Sequence, residues 1–167
     1  MTRVQSFAPV ETRVARILIL GTMPGAESLR QKQYYAHPRN QFWKIAGSLL
    51  NFGPTDSYTT RVTALKKAHV ALWDVLKSCT RATSLDSDID EASAYPNDFE
   101  AFFAKHPAVR KVFFNGATAE KLFHKNVALS PDIQRNLQFT RLPSTSPANA
   151  RWTFESKKKA WRAILHD

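Results

Sequence analysis

The chain has 167 residues, 43% of them hydrophobic and 23% charged, which is the composition of a folded globular domain long enough to bury a real core. That balance excludes a disordered tail, a collagen-like repeat and, with Cys79 as the only cysteine, a disulfide scaffold. An excess of 24 Lys and Arg over 14 Asp and Glu gives a formal charge of +10, which points to a polyanion, nucleic acid ahead of an anionic membrane surface. One thiol cannot build a four-thiolate zinc site or an iron–sulfur cluster, so no metal and no cofactor are expected. The mixed, polar first 16 residues and the brevity of the most apolar run, Ile17–Leu20, predict a soluble cytoplasmic protein that neither enters nor binds a membrane. Residues 1–167 read as a single domain and a monomer.

In chain order, the first predicted strand is Arg16–Leu20, followed by Gly21-Thr22-Met23-Pro24-Gly25. Two glycines in that turn allow a close approach of backbone to a ligand, but neither the dinucleotide spacing nor a Walker loop is present. Taken alone it is a strand-to-loop turn. Tyr34, Tyr35, His37, Arg39 and Asn40 then crowd together ahead of a helix whose apolar face is Phe42, Ile45, Ala46, Leu49 and Leu50. Locally, Asn40 is a helix N-cap. The cluster around it also combines rings that stack on bases, a guanidinium for phosphate and an amide that can orient water.

A second strand, Val70–Trp73, ends at Asp74, whose local reading is a helix cap or a partner for a Lys or Arg. Phe99, Phe102 and Phe103 mark a helix. The third strand, Lys111–Phe114, runs into Asn115-Gly116, a turn and cap for a helix over Thr118–Asn126. The fourth, Leu137–Arg141, leads into Leu142-Pro143-Ser144-Thr145-Ser146-Pro147, whose hydroxyls and N–H groups suit phosphate oxygens. Trp161, Ile164 and Leu165 mark a last helix, with Lys157-Lys158-Lys159 as its solvated face.

Strands alternating with helices predict an α/β fold. The architecture expected is a three-layer α/β/α sandwich around a mainly parallel four-stranded central sheet. Turn-forming and polar residues follow every strand, so a site is expected at the carboxyl edge of that sheet.

Taken together, the motifs resemble the uracil-DNA glycosylase superfamily, and within it the sixth family, the hypoxanthine-DNA (deoxyinosine) glycosylases. The resemblance runs from Gly21 to Ala150. It rests on Gly21–Gly25, Tyr34–Asn40, Leu72–Leu76, Ser84–Ser87, Phe114–Gly116 and Leu142–Ala150 in that order. It implies a monofunctional glycosylase of base excision repair acting on a flipped, deaminated base in DNA. Asn40 would position the water. Gly21, Met23, Tyr35, Asp74 and Asn115 would hold the base, with Tyr35 stacking on it. Pro143, Ser144, Thr145, Ser146 and Arg39 would meet the DNA.

Several departures from other branches matter. Met23 stands where the uracil-specific and mismatch-specific branches carry Asp or Asn, and a thioether cannot align a water. Leu142 stands where the uracil-specific branch has a His that steadies the leaving base. Thr83 stands where the resemblance leads one to expect Gly. The readings left open are uracil, xanthine or mismatch specificity on the same scaffold, a non-catalytic nucleic-acid-binding module, and a small-molecule nucleotide hydrolase.

Overall fold

Ile17-Leu18-Ile19-Leu20 offers no polar side chain to water, so it is stable as a strand only with both faces covered. The computed structural model describes residues 2–166. In chain order the first half is β1 (Thr2–Gln5), β2 (Ile17–Gly21), α1 (Ala26–Gln31), α2 (Phe42–Leu50), α3 (Tyr58–Lys67), β3 (Val70–Asp74), β4 (Leu76–Arg81) and β5 (Ile89–Pro96). The second half is α4 (Phe99–Lys105), β6 (Lys111–Asn115), α5 (Ala117–Asn126), α6 (Pro131–Gln134), β7 (Gln138–Leu142) and α7 (Phe154–Trp161).

The main sheet has the order β3-β2-β6-β7, and every pairing in it is parallel. Alternation along its strands divides the core. Leu18, Leu20, Ala71, Val112 and Phe114 pack on one side with Phe99, Phe102 and Phe103 of α4 and with Leu122 and Phe123 of α5. Ile19, Val70, Leu72 and Phe113 pack on the other with Phe42, Ile45, Leu65, Trp161 and Ile164. Leu18, Ile19 and Leu20 are wholly buried, each contributing about 1.5–3 kcal/mol of apolar burial. This is the three-layer arrangement expected, and each central strand ends one residue later than the sequence predicts.

A second, antiparallel sheet of order β1-β4-β5 is an addition to that expectation. Only Val75 separates β3 from β4, so Asp74 does not cap a helix. The peptide after it is pinned to the first turn instead, with the Val75 N–H donating to the Gly21 carbonyl at 2.8 Å. The last helix also differs. α7 stops at Trp161, and Arg162–Leu165 tighten into a 3-10 turn. Lys157, expected on a solvated face, is 2% exposed. Its methylene stem packs inward, and burial holds its ammonium below the ordinary lysine range.

Trp161 ties this last helix to the functional end of the sheet. It is fully buried, lies edge-on to Phe42 at 5.9 Å, and donates its indole N–H to the Pro143 carbonyl at 2.9 Å. Trp161→Phe keeps most of the apolar bulk but leaves that carbonyl unpaired beside a partly emptied space. Its unfolding free energy is expected to drop by about 1–3 kcal/mol. Urea titration will read this as a lower midpoint at unchanged slope; an unaltered midpoint would mean the indole hydrogen bond contributes nothing.

Candidate active site

The four parallel strands deliver Gly21, Asp74, Asn115 and Leu142 to one edge of the sheet, where they line a single cleft of about 1280 Å³. Every site residue expected from the sequence lies on it: Asn40, Gly21, Met23, Tyr35, Asp74 and Asn115, with Arg39 and Pro143–Ser146. What they do there is less uniform than the sequence suggests.

Thr145 is wholly buried, which takes it off the surface where a phosphate contact would need it. Its hydroxyl accepts from Asn115 Nδ2 at 2.9 Å, and its backbone N–H donates to Asn115 Oδ1 at 2.9 Å. Its carbonyl accepts from the Gln41 N–H at 3.0 Å. One buried residue thus joins the tip of β6, the loop after β7 and the segment carrying Asn40. Asn115 spends one N–H and one lone pair on this clasp and keeps one of each. The next residue, Gly116, has φ +98°, and a Cβ there would sit 2.9 Å from the Cβ of Ser144, so only glycine lets the two loops close.

Asn40 both caps and lines the cleft. Its Oδ1 accepts from the Phe42 N–H at 2.9 Å, while its own N–H donates to the His37 carbonyl at 2.9 Å. The carboxamide is therefore fixed in place, with its amino group and a second lone pair unspent.

Tyr35 has φ 53°, a left-handed conformation unusual for so bulky a residue. Its neighbours enforce it. The Tyr34 N–H donates to the Tyr58 hydroxyl, the Tyr34 carbonyl accepts from the Trp43 indole, and the Ala36 N–H donates to Ser28 Oγ. The Tyr35 ring stacks on Phe42 at 4.3 Å and sends its hydroxyl down beside Asp74.

That contact makes Gly21 obligatory, because a Cβ there would lie 2.6 Å from Asp74 Oδ1 and 2.8 Å from Tyr35 Oη. The base of the cleft is polar and unsatisfied. Thr22 Oγ1, Tyr35 Oη and Asp74 Oδ2 are buried, line the cleft and have no partner within good hydrogen-bond geometry, although the Asp86 carboxyl stands near Thr22 and the Asn115 amide near the Tyr35 hydroxyl. Since buried polar groups are normally paired, three orphans together mark where a ligand supplies the partners.

Burial, and then the neighbouring Asp86 carboxylate, push Asp74 up to about 7, with the Arg81 guanidinium pulling the other way. Burial likewise raises Asp86 and the Tyr35 phenol. Thr22, Asp86 and Arg81 are the participants that sequence reasoning missed. Arg81 is buried, donates to the Pro24 carbonyl and leaves Nη1 unpaired. The signal for Asp86 was the Ser84–Ser87 motif, all of which lines the cleft. Arg39 and Arg151 stand exposed at the mouth, as does Arg141, which lies 3.7 Å from Glu120.

Comparison with known proteins agrees with this geometry. Residues 9–165 match the uracil DNA glycosylase superfamily. A protein of Methanosarcina barkeri named hypoxanthine DNA glycosylase is 32% identical over 158 residues, covering 94% of each chain. One of the same name from Methanosarcina acetivorans is 32% identical over 164 residues, 96% of this chain and 97% of that one. A solution NMR structure from M. acetivorans, provisionally assigned as a uracil DNA glycosylase, superposes with a TM-score of 0.78 at 30% identity. It covers 99% of this chain and 100% of the other.

The raised Asp74 has a consequence for stability. Between about pH 4, where an unfolded Asp ionises, and the folded value of about 7, the native state holds a proton that the unfolded chain has released. Stability is therefore greatest below that window and declines as pH rises through it, by on the order of 4 kcal/mol. Asp74→Asn is expected to lose this slope and to be the more stable protein at pH 8, as urea unfolding at pH 5 and pH 8 will measure. Equal slopes in the two proteins would mean that Asp74 is ionised throughout.

Proposed function

The chain belongs to the uracil DNA glycosylase superfamily, and on that premise we propose that it hydrolyses the N-glycosidic bond of a deaminated base flipped out of DNA, with hypoxanthine as the preferred base. The observation carrying this reading is the trio of unpaired buried polar atoms on Thr22, Tyr35 and Asp74, gathered beside a fixed aromatic ring in the one cleft at the strand ends. A nucleobase is a flat ring edged with donors and acceptors, and such a slot satisfies both properties. The names of the Methanosarcina relatives favour hypoxanthine among the candidates.

Extrusion of the base costs a few kcal/mol, less where pairing is already poor, as with hypoxanthine. Tyr35 stacks on the flipped base, and Asn115 offers it the N–H and lone pair left over from the Thr145 clasp. Ser144 and Ser146, with Arg39 at the mouth, meet the backbone, and Thr145 acts behind them as the positioning residue. The C1′–N bond breaks through an oxocarbenium-like state, so the attacking water needs placement more than deprotonation. A carboxamide held as rigidly as that of Asn40 supplies placement.

Among the described residues no lysine lines the cleft. Direct hydrolysis therefore fits better than Schiff-base chemistry, and the product is an uncut abasic strand.

Two measurements test the reading. Duplexes carrying one deoxyinosine, deoxyuridine, deoxyxanthosine or mismatched thymidine are incubated with the protein, and deoxyinosine is expected to be excised fastest without strand cleavage or a borohydride-trapped adduct. Absence of an abasic product from all of them would remove the glycosylase reading altogether. In the same assay Asn40→Ala is expected to lose about 100-fold or more in excision rate, with only about 1 kcal/mol of stability lost with the cap. Excision within a few-fold of the parent would leave Asn40 a cap and nothing more.

A further inference from the structure

A departing purine has to be neutralised as its bond to the sugar breaks, yet the residue ahead of Pro143 is Leu142, a buried hydrocarbon with no proton to give. Resting on the glycosylase reading, we propose that Asp74 is the general acid: its Oδ2–H protonates N7 of the purine as the C1′–N9 bond breaks.

The geometry favours this carboxyl over any other group of the cleft. Asp74 is 3% exposed, lines the cleft, and its Oδ2 has no partner within the protein. Its backbone cannot swing away, because Val75 N–H holds Gly21 and Asn97 Nδ2 donates to the Asp74 carbonyl at 2.8 Å. Its other oxygen is packed against Gly21 beside the Tyr35 hydroxyl.

An ionised carboxylate in that position would want several donors, and its Oδ2 has none within hydrogen-bond distance. The Arg81 guanidinium of β4 gives one N–H to the Pro24 carbonyl, and its pull on Asp74 is outweighed by burial and by the like-signed Asp86, which opens a short 3-10 turn over Asp86–Asp88. The remaining titratable neighbours are the phenols of Tyr34, Tyr35 and Tyr58, all uncharged at neutral pH and all raised further by burial. Two carboxyl groups this poorly exposed to solvent, each acting on the same pocket of charge, cannot both ionise freely. The deeper one stays protonated up to about pH 7, the condition a donor must meet to work at physiological pH.

The bookkeeping of atoms closes. Water oxygen adds to C1′ while the electron pair of the C1′–N9 bond moves into the purine. The Asp74 proton goes to N7, releasing neutral hypoxanthine as its N7–H tautomer. The proton shed by the water returns to the Asp74 carboxylate. Uracil, bonded through N1, has no N7 and draws no such help, so the same group biases the site towards purines.

Single-turnover excision of deoxyinosine from a duplex, followed from pH 5 to pH 9, tests this in the wild type, Asp74→Asn and Asp86→Asn. The wild-type rate is expected to fall above about pH 7. Asp74→Asn keeps a hydrogen-bond donor but has no transferable proton. It should be slower by about 100-fold or more at pH 6, should lose the alkaline limb, and should bind the duplex nearly as tightly. Asp86→Asn, which removes the like charge, should move the limb to lower pH.

Carbon-13 NMR of the Asp74 carboxyl in the intact protein gives a reading independent of activity, with titration expected near 7. An unchanged alkaline limb in Asp74→Asn, or a carboxyl titrating in the ordinary range near 4, overturns the proposal while leaving the glycosylase reading standing. Failure of the wild type to release any base overturns both.

Discussion

The cleft depends on one buried hydrogen-bonding residue. Thr145 offers its hydroxyl, its N–H and its carbonyl to three groups on two other segments, and it is fully out of water. Each bond is individually modest, worth about 1 kcal/mol net. Breaking one, however, strands a buried polar group and adds a desolvation penalty. The clasp is therefore stable as a set, and it fixes Asn115, the Ser144–Ser146 loop and Asn40 relative to one another. The Trp161 indole holds the same loop from behind through Pro143, and Trp161 also packs against Phe42, the ring on which Tyr35 rests. Placement of the Tyr35 ring and of the Pro143–Ser146 loop thus traces to a few contacts in the core.

Around this well-satisfied frame lie groups that are left incompletely satisfied. Tyr35 holds a strained backbone, and Thr22, Asp74 and Arg81 carry buried polar atoms without partners. Folding alone would select against each of them, since a buried unpaired group costs about 1–3 kcal/mol. Thr22, Tyr35 and Asp74 line one cleft, the Arg81 charge acts on Asp74, and this concentration is what gives them meaning. The frame over-determines the geometry so that a local deficit can be held in readiness for a ligand.

The main sheet was legible because its strands are continuous apolar runs bounded by turn residues, the pattern of strands covered on both faces. The second sheet was not. β4 reads Leu-Lys-Ser-Cys-Thr-Arg and β5 reads Ile-Asp-Glu-Ala-Ser-Ala-Tyr-Pro, sequences with little apolar alternation that become strands by pairing with each other and with β1. Local sequence does not encode a pairing made at a distance. Lys157 was misplaced for a related reason: a lysine stem can lie along apolar surface, and only the packing of α7 decides whether it does. In the site, the residues of Gly21–Gly25, Tyr35, Asn40 and Asn115 were recognisable as a set. Their division into those facing the ligand and those holding others in place was hidden, since the Asn115–Thr145 clasp joins residues thirty positions apart.

The same cleft also sorts its visitors by charge. Net positive charge spread over the surface attracts a polyanion, and exposed Arg39 and Arg151 stand at the entrance. These charges face solvent and act over about a Debye length, roughly 8 Å at physiological salt. Charges so placed would attract a phosphate backbone passing across the mouth without drawing it in. The acidic side chains lining the cleft are Glu27, Asp74 and Asp86, of which Asp74 is buried and the other two half-buried. A phosphate group carried inward would meet at least one carboxylate in a low dielectric, a repulsion that the buried Arg81 guanidinium offsets only in part. An uncharged base meets no such barrier. A free nucleotide, whose phosphate must follow its base closely, is disfavoured relative to a strand whose phosphates stay at the rim. On physical grounds this separates a DNA glycosylase from a nucleotide hydrolase built on the same residues.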